Sequence, residues 1–181
     1  MVFFFVEIGG YDGEKHSNSL FFEHERGWDG FLVEAIRFTF QQMVRRDRKC
    51  AMVHACVSNT VKSMHFRVAG GLTSAIELES ASHADRTRKD SEIYGRDYTL
   101  EGFGNIMETN CTSLNTILKL LNTSHIDYFS LDVEGAELAI VESIDFESLT
   151  VDVFSIEVAE NAGQIDKFMK KRPRSSFSAR S

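Results

Sequence analysis

The stretch FVEIGGYDG, residues 5–13, decides how the fold is read. A short apolar run from Phe3 to Ile8 carries one acid near its end and then breaks into glycines. An apolar run of that length, bounded by turn residues, is a buried strand. The glycines let the chain turn tightly and approach a ligand closely. Outward from this turn, residues 18–26 can form a helix that stops at Gly27, and Phe31, Leu32 and Val33 form a second buried strand. Ile36, Phe40, Met43 and Val44 keep helical spacing. Ala51 to Val57 reads as a third strand, and Val61 to Ala69 as a hairpin arm ending at Gly70-Gly71. Residues 79–97 are polar, charged and aperiodic, which predicts a long surface loop.

Order returns after the capping candidates Thr112 and Ser113. Leu114, Ile117, Leu118 and Leu121 recur at helical spacing. Ile126 to Leu131 is a buried strand, Leu138, Val141 and Ile144 mark a helix, Val151 to Val158 is a strand, and Gln164 to Lys171 a short helix. Strand and helix alternate, so the expectation is an α/β fold with a mostly parallel sheet and helices on both faces.

With 43% hydrophobic and 26% charged residues, the composition is that of a globular domain. No apolar run approaches the roughly 20 residues of a membrane span. The net charge is −7, although residues 170–181 carry five basic residues and no acid. An acidic body argues against nucleic acid as partner, because phosphate contacts need clustered Lys and Arg. The basic, Ser-rich end, residues 172–181, is expected to be a disordered tail following a domain over 1–171. It holds Pro173, the one proline of the chain. Cys50, Cys56 and Cys111 form no C-x-x-C pair and the six histidines show no ligand spacing, so no metal is expected.

In an open parallel sheet, ligands bind at the carboxyl ends of the strands. There the first strand offers Glu7, Gly9, Gly10, Asp12 and Gly13, and the second ends on Glu34. An acid at that position suits hydrogen bonds to the two hydroxyls of a ribose. A dinucleotide would place its pyrophosphate on the glycine turn, where two like charges about 4 Å apart cost on the order of 4 kcal/mol at an effective dielectric of 20. S-adenosylmethionine has no phosphate and carries an ammonium and a sulfonium, so Glu7 and Asp12 favour the methyl donor over a nicotinamide cofactor. In IDYFSLDVEGAEL, residues 126–138, Glu134 and Glu137 can serve as helix-start acids. Asp132 leaves the core at the strand end, where it can hold the donor's amino group or accept a proton from a hydroxyl substrate.

These segments resemble the FkbM-type methyltransferase domain, a Rossmann-like class I S-adenosylmethionine-dependent fold. The matching blocks are FVEIGGYDG, SNSLFFEHERGWDGFLVEA (17–35), IDYFSLDVEGAELAIVESIDF (126–146) and VDVFSIEV (151–158). The resemblance implies donor binding by Glu7, Gly9 and Gly13, ribose binding by Glu34, and a role for Asp132 and Glu134 at the reaction centre; Gly10, Asp12 and Asn18, beside the turn, are further donor-binding candidates. Where the family usually shows proline after the ribose acid, this chain has Ala35.

The family pattern also brings helices before the first strand and two strands after 151–158. Their absence from the pattern here predicts a shortened domain whose strand 151–158 is an exposed edge, open to pairing. The expected reaction is methyl transfer to a hydroxyl of a small molecule or glycan. The blocks look closest to the animal Star-like branch, which implies a second reading: a non-catalytic protein assisting ER-to-Golgi trafficking of membrane-bound ligands. Cys56 and Cys111 match positions that look paired in that branch; two buried free thiols are the alternative. Asn110-Cys111-Thr112 and Asn122-Thr123-Ser124 are N-glycosylation sequons.

Overall fold

The computed structural model describes residues 3–94, 104–157, 161–171 and 176–180. Strands β1 (Phe4–Ile8), β2 (Asp29–Glu34), β3 (Ala51–His54), β8 (His125–Leu131), β9 (Thr150–Glu157) and β10 (Ser176–Arg180) form one sheet in the order β10-β9-β8-β1-β2-β3. Every neighbouring pair in it is parallel. Both faces are covered, as all-parallel sheets require. On one face Val6, Ile8, Phe129, Leu131, Phe154 and Ile156 pack with Ile117, Leu118, Ile140, Val141, Ile165 and Met169. Those partners come from α4 (Leu114–Leu120), α5 (Glu137–Glu142) and α6 (Ala162–Met169). On the other face Phe5, Leu32 and Tyr128 meet Phe22 of α1 (Leu20–Arg26) and Phe40 and Met43 of α2 (Arg37–Met43). This is the Rossmann-like α/β arrangement expected from the strand–helix alternation.

Local signals set the helix ends. Gly27 stops α1 at φ 64° with its N–H on Glu23 O, the left-handed closure that glycine adopts most readily. Ser113 opens α4 by accepting from Thr116 N at 3.1 Å.

Three sequence expectations are corrected. The loop over 79–97 contains helix α3 (Ala81–Tyr94). Ser80 caps it, its Oγ accepting from His83 N at 3.1 Å, and among residues 81–90 of the helix His83 and Thr87, one turn apart, are the buried ones. Two buried positions leave no apolar period to read. The third strand is split: after β3 the chain leaves the main sheet and β4 (Cys56–Val57) joins a second sheet with β5 (Ser63–Arg67), β6 (Ser74–Ala75) and β7 (Ile106–Thr112), ordered β4-β7-β5-β6. The edge of β9 is not open. Strand β10, inside the expected tail, pairs with it from Ser176↔Val153 to Arg180↔Glu157. Backbone hydrogen bonds to a waiting strand edge need no apolar pattern, so SFSAR forms a strand that its side chains do not announce. Residues 172–175 and 181 of that tail, and residues 95–97 of the expected loop, lie outside the described residues.

Candidate functional site

A cavity of about 610 Å³ opens at the carboxyl ends of β1, β2, β8 and β9, a volume typical of cofactor sites. Ile8, Gly9, Glu34, Asp132 and Glu157 lie at those strand ends, and Met64, Phe66 and Ala75 of the second sheet form an apolar wall opposite. Helix α3 adds Arg86 and Asp90.

Gly9 is the position that no other residue can fill. Its φ is +87°, and a Cβ there would sit 1.7 Å from the carbonyl oxygen of Asp132. The turn after β1 therefore packs directly on the turn after β8, and Asp132 N donates to Ile8 O at 3.0 Å.

Glu34 is buried at the cavity wall. Its Oε2 accepts from Tyr11 N at 2.9 Å, and its Oε1 from Ile36 N and Thr39 Oγ1, both at 2.8 Å. Burial pushes the carboxyl up to about 7 in spite of these donors. A carboxylate offers about four acceptor positions, so three are in use. The Thr39 hydroxyl has one proton and two acceptors, since Ile36 O also lies 2.9 Å away. Turning that proton to Ile36 O frees a second position, and Glu34 can then accept from both hydroxyls of a diol.

Around Asp132 the cavity is strongly acidic. Burial, a hydrogen bond with Glu157 and the charges of Glu157, Glu134 and Glu137 push Asp132 up to about 8. Two carboxyl groups can hydrogen-bond only with a proton between them. Glu134 takes a left-handed φ of 51°. Its carboxyl is raised by burial, against the pull of His83. His83 Nε2 lies 3.0 Å from Leu72 O, which can only accept, so that nitrogen carries the proton and Nδ1 faces Glu134 Oε2 at 3.6 Å. Glu137, expected as a helix-start acid, does more: it accepts from Val133 N and Gly135 N and locks the turn 133–135.

Several expected site residues stand behind the wall rather than in it. Strand alternation puts Glu7 on the α1 side of the sheet with Phe5. There its carboxylate accepts from Ser17 Oγ at 2.8 Å, Asn18 N at 2.6 Å and Ser19 Oγ at 2.5 Å. Asn18 itself lines the cavity. Asp12 accepts from Glu14 N and Lys15 N and pairs with Arg46 at 2.7 Å. Burial works to raise its carboxyl, but these hydrogen bonds and Arg46 hold it below the ordinary range. Gly10 and Gly13 face Met43, with Cβ positions 2.8 Å and 2.9 Å from its side chain. Glu7 and Asp12 are thus already partnered and stand outside the cavity lining. The acids that line the cavity itself are Glu34, Asp90, Asp132, Glu134 and Glu157.

Glu157, Arg86 and Arg48 escaped sequence reasoning. Arg48, fully buried, pairs with Glu23 at 2.8 Å and donates to Gly13 O, Ser17 Oγ and Ser19 Oγ. Cys56, which lines the cavity, is joined to Cys111 by a disulfide, with Cα atoms 4.3 Å apart. It clamps β4 to β7 at the register pair Cys56↔Cys111. At the opposite end of the sheet His125 Nε2 lies 3.6 Å from Asp127 and 3.3 Å from Asp152, a grouping that the histidine spacing did not suggest.

Among the described residues no helix is long and apolar enough to cross a membrane. No curated protein and no solved structure matches the chain. The methyltransferase FkbM domain matches residues 7–175, nearly the full length. With the parallel sheet and a cavity at its carboxyl ends, this places the chain in the FkbM methyltransferase domain family.

Proposed function

We propose that the cavity binds S-adenosylmethionine and that the chain transfers its methyl group to a hydroxyl of a small molecule or glycan. The observation that carries this reading is the donor set: a buried carboxylate, Glu34, with two acceptor positions available to a diol, and an acid group of Asp132, Glu134 and Glu157 in the same cavity. A diol and a positively charged ligand suit it, and a pyrophosphate does not. Glu34 holds the ribose, while Gly9 and Asn18 line the donor's side. Glu7, Asp12, Gly10 and Gly13 act through the loop they position.

When bound, the donor supplies an electrophilic methyl carbon. The chain's own contribution is alignment and proton removal. Asp132 shares a proton with Glu157 at the strand end; once the pair has given up that proton, Asp132 is a carboxylate of raised proton affinity and accepts the proton of the acceptor hydroxyl. Glu134 helps keep that affinity high.

Isothermal titration of the folded protein with S-adenosylmethionine tests the donor claim. Saturable binding that Glu34→Ala weakens at least tenfold is expected; no saturable binding, or equal binding by Glu34→Ala, refutes it. The disulfide favours one second reading, a non-catalytic relative of the Star-like branch that assists trafficking. That reading expects no donor binding, so the same titration separates the two.

A further inference from the structure

We propose that Asn122 is an N-glycosylation acceptor on the folded protein, taking an oligosaccharide from a polyisoprenyl pyrophosphate donor. The sequon Asn122-Thr123-Ser124 lies in the connection between α4 and β8. The helix ends there in a closed turn, with Asn122 N donating to Lys119 O at 3.1 Å and Thr123 N to Leu118 O at 3.0 Å. Asn122 takes the left-handed φ of 51° in this turn and is exposed. Its backbone is fixed, but its side-chain amide makes no hydrogen bond to a described residue. Leu120, two residues before it, is 81% exposed, so nothing in the described chain covers this corner.

The second observation is independent of the sequon. The Cys56–Cys111 disulfide suits an oxidising compartment, the setting of secreted proteins, whose surface loops carry asparagine-linked oligosaccharides. Attachment balances simply. The amide nitrogen of Asn122 bonds to C1 of the sugar, the C1–O bond to the pyrophosphate breaks, the lipid pyrophosphate leaves with that electron pair, and the amide proton goes to a base of the transferase.

The other sequon is withheld by the fold. Asn110 is exposed, but its backbone lies in β7 opposite Ser63. The middle residue of that sequon, Cys111, is held by the disulfide, and Thr112 pairs with Val57. A segment bonded on both sides in a sheet cannot bend into a transferase groove.

The test uses the purified, oxidised full chain, a single-subunit eukaryotic oligosaccharyltransferase and lipid-linked oligosaccharide, read by intact mass before and after peptide N-glycosidase. One glycan per chain is expected. It is lost in Ser124→Ala, which removes the sequon without touching the left-handed residue, and kept in Asn110→Gln. The reduced, denatured chain takes two. An unmodified oxidised chain that is folded by circular dichroism overturns the proposal, as does a glycan that survives Ser124→Ala.

Discussion

Glu34→Gln separates what the buried carboxylate costs the fold from what it does for a ligand. Burial raises this carboxyl from 4.5 to about 7, even though Ile36 N, Thr39 and Tyr11 N all favour its charged form. A shift of that size corresponds to about 3 kcal/mol of differential stability. The folded chain holds this proton more tightly than the unfolded one. The stabilising share is therefore complete below pH 4.5, falls as pH rises, and is gone above pH 7. Glutamine does not titrate. Its amide NH2 will meet one of the backbone N–H donors now served by a carboxylate oxygen, a fixed penalty of about 1–3 kcal/mol. That penalty is the same at every pH and drops out of the comparison. The wild-type stability minus that of the variant should therefore decrease by about 3 kcal/mol between pH 4.5 and pH 8. Urea unfolding followed by circular dichroism at half-unit pH steps measures it. Parallel curves for the two proteins, or a difference that grows with pH, would refute the reasoning. Donor affinity should run the other way in wild type, rising through pH 7, because ribose hydroxyls favour the charged carboxylate.

Two further predictions concern the frame around the site. Arg48→Ala strands the buried Glu23 carboxylate and removes the donors to Gly13 O, Ser17 and Ser19. A loss of about 3–5 kcal/mol in urea unfolding is expected, with part recovered in the Glu23→Ala double variant; a loss under about 1 kcal/mol would show the network to be incidental. Reducing the Cys56–Cys111 bridge, which spans 55 residues, should lower stability by about 4 kcal/mol, and an unchanged urea midpoint in reductant would contradict it.

How much of this was legible follows from where each signal lives. The strands β1, β2, β8 and β9 each carry a run of consecutive buried, mostly apolar positions, so they announce themselves. Glu34 and Asp132 were visible because each ends such a strand. Glu7 ends β1 just as visibly, yet the same alternation that makes the strand carries its side chain to the helix side of the sheet. Asp12 stands behind the cavity wall for another reason: its partner, Arg46, is 34 residues away, and no local pattern records the pair. Glu157 lies at the end of an equally clear strand, but only the adjacency of β8 and β9 makes it a neighbour of Asp132. Helix α3 and strands β7 and β10 carry few apolar residues in sequence. Caps and strand edges define them, so a periodicity reading passes over them.

The network around Arg48 has a consequence for affinity. Gly13 O, Ser17 and Ser19 all bond to one guanidinium, and Glu7 takes the donors of Ser17, Asn18 and Ser19 from the other side. The segment that presents Lys15, His16 and Asn18 to the cavity is thus held in shape by the scaffold before any ligand arrives. A ligand entering there meets a surface with little conformational freedom left to lose. Immobilising a loop on binding costs roughly 0.5–1.5 kcal/mol per mobile side chain, and here that cost has been met during folding. Loosening the network should accordingly weaken binding through its entropy while leaving every cavity-lining side chain in place.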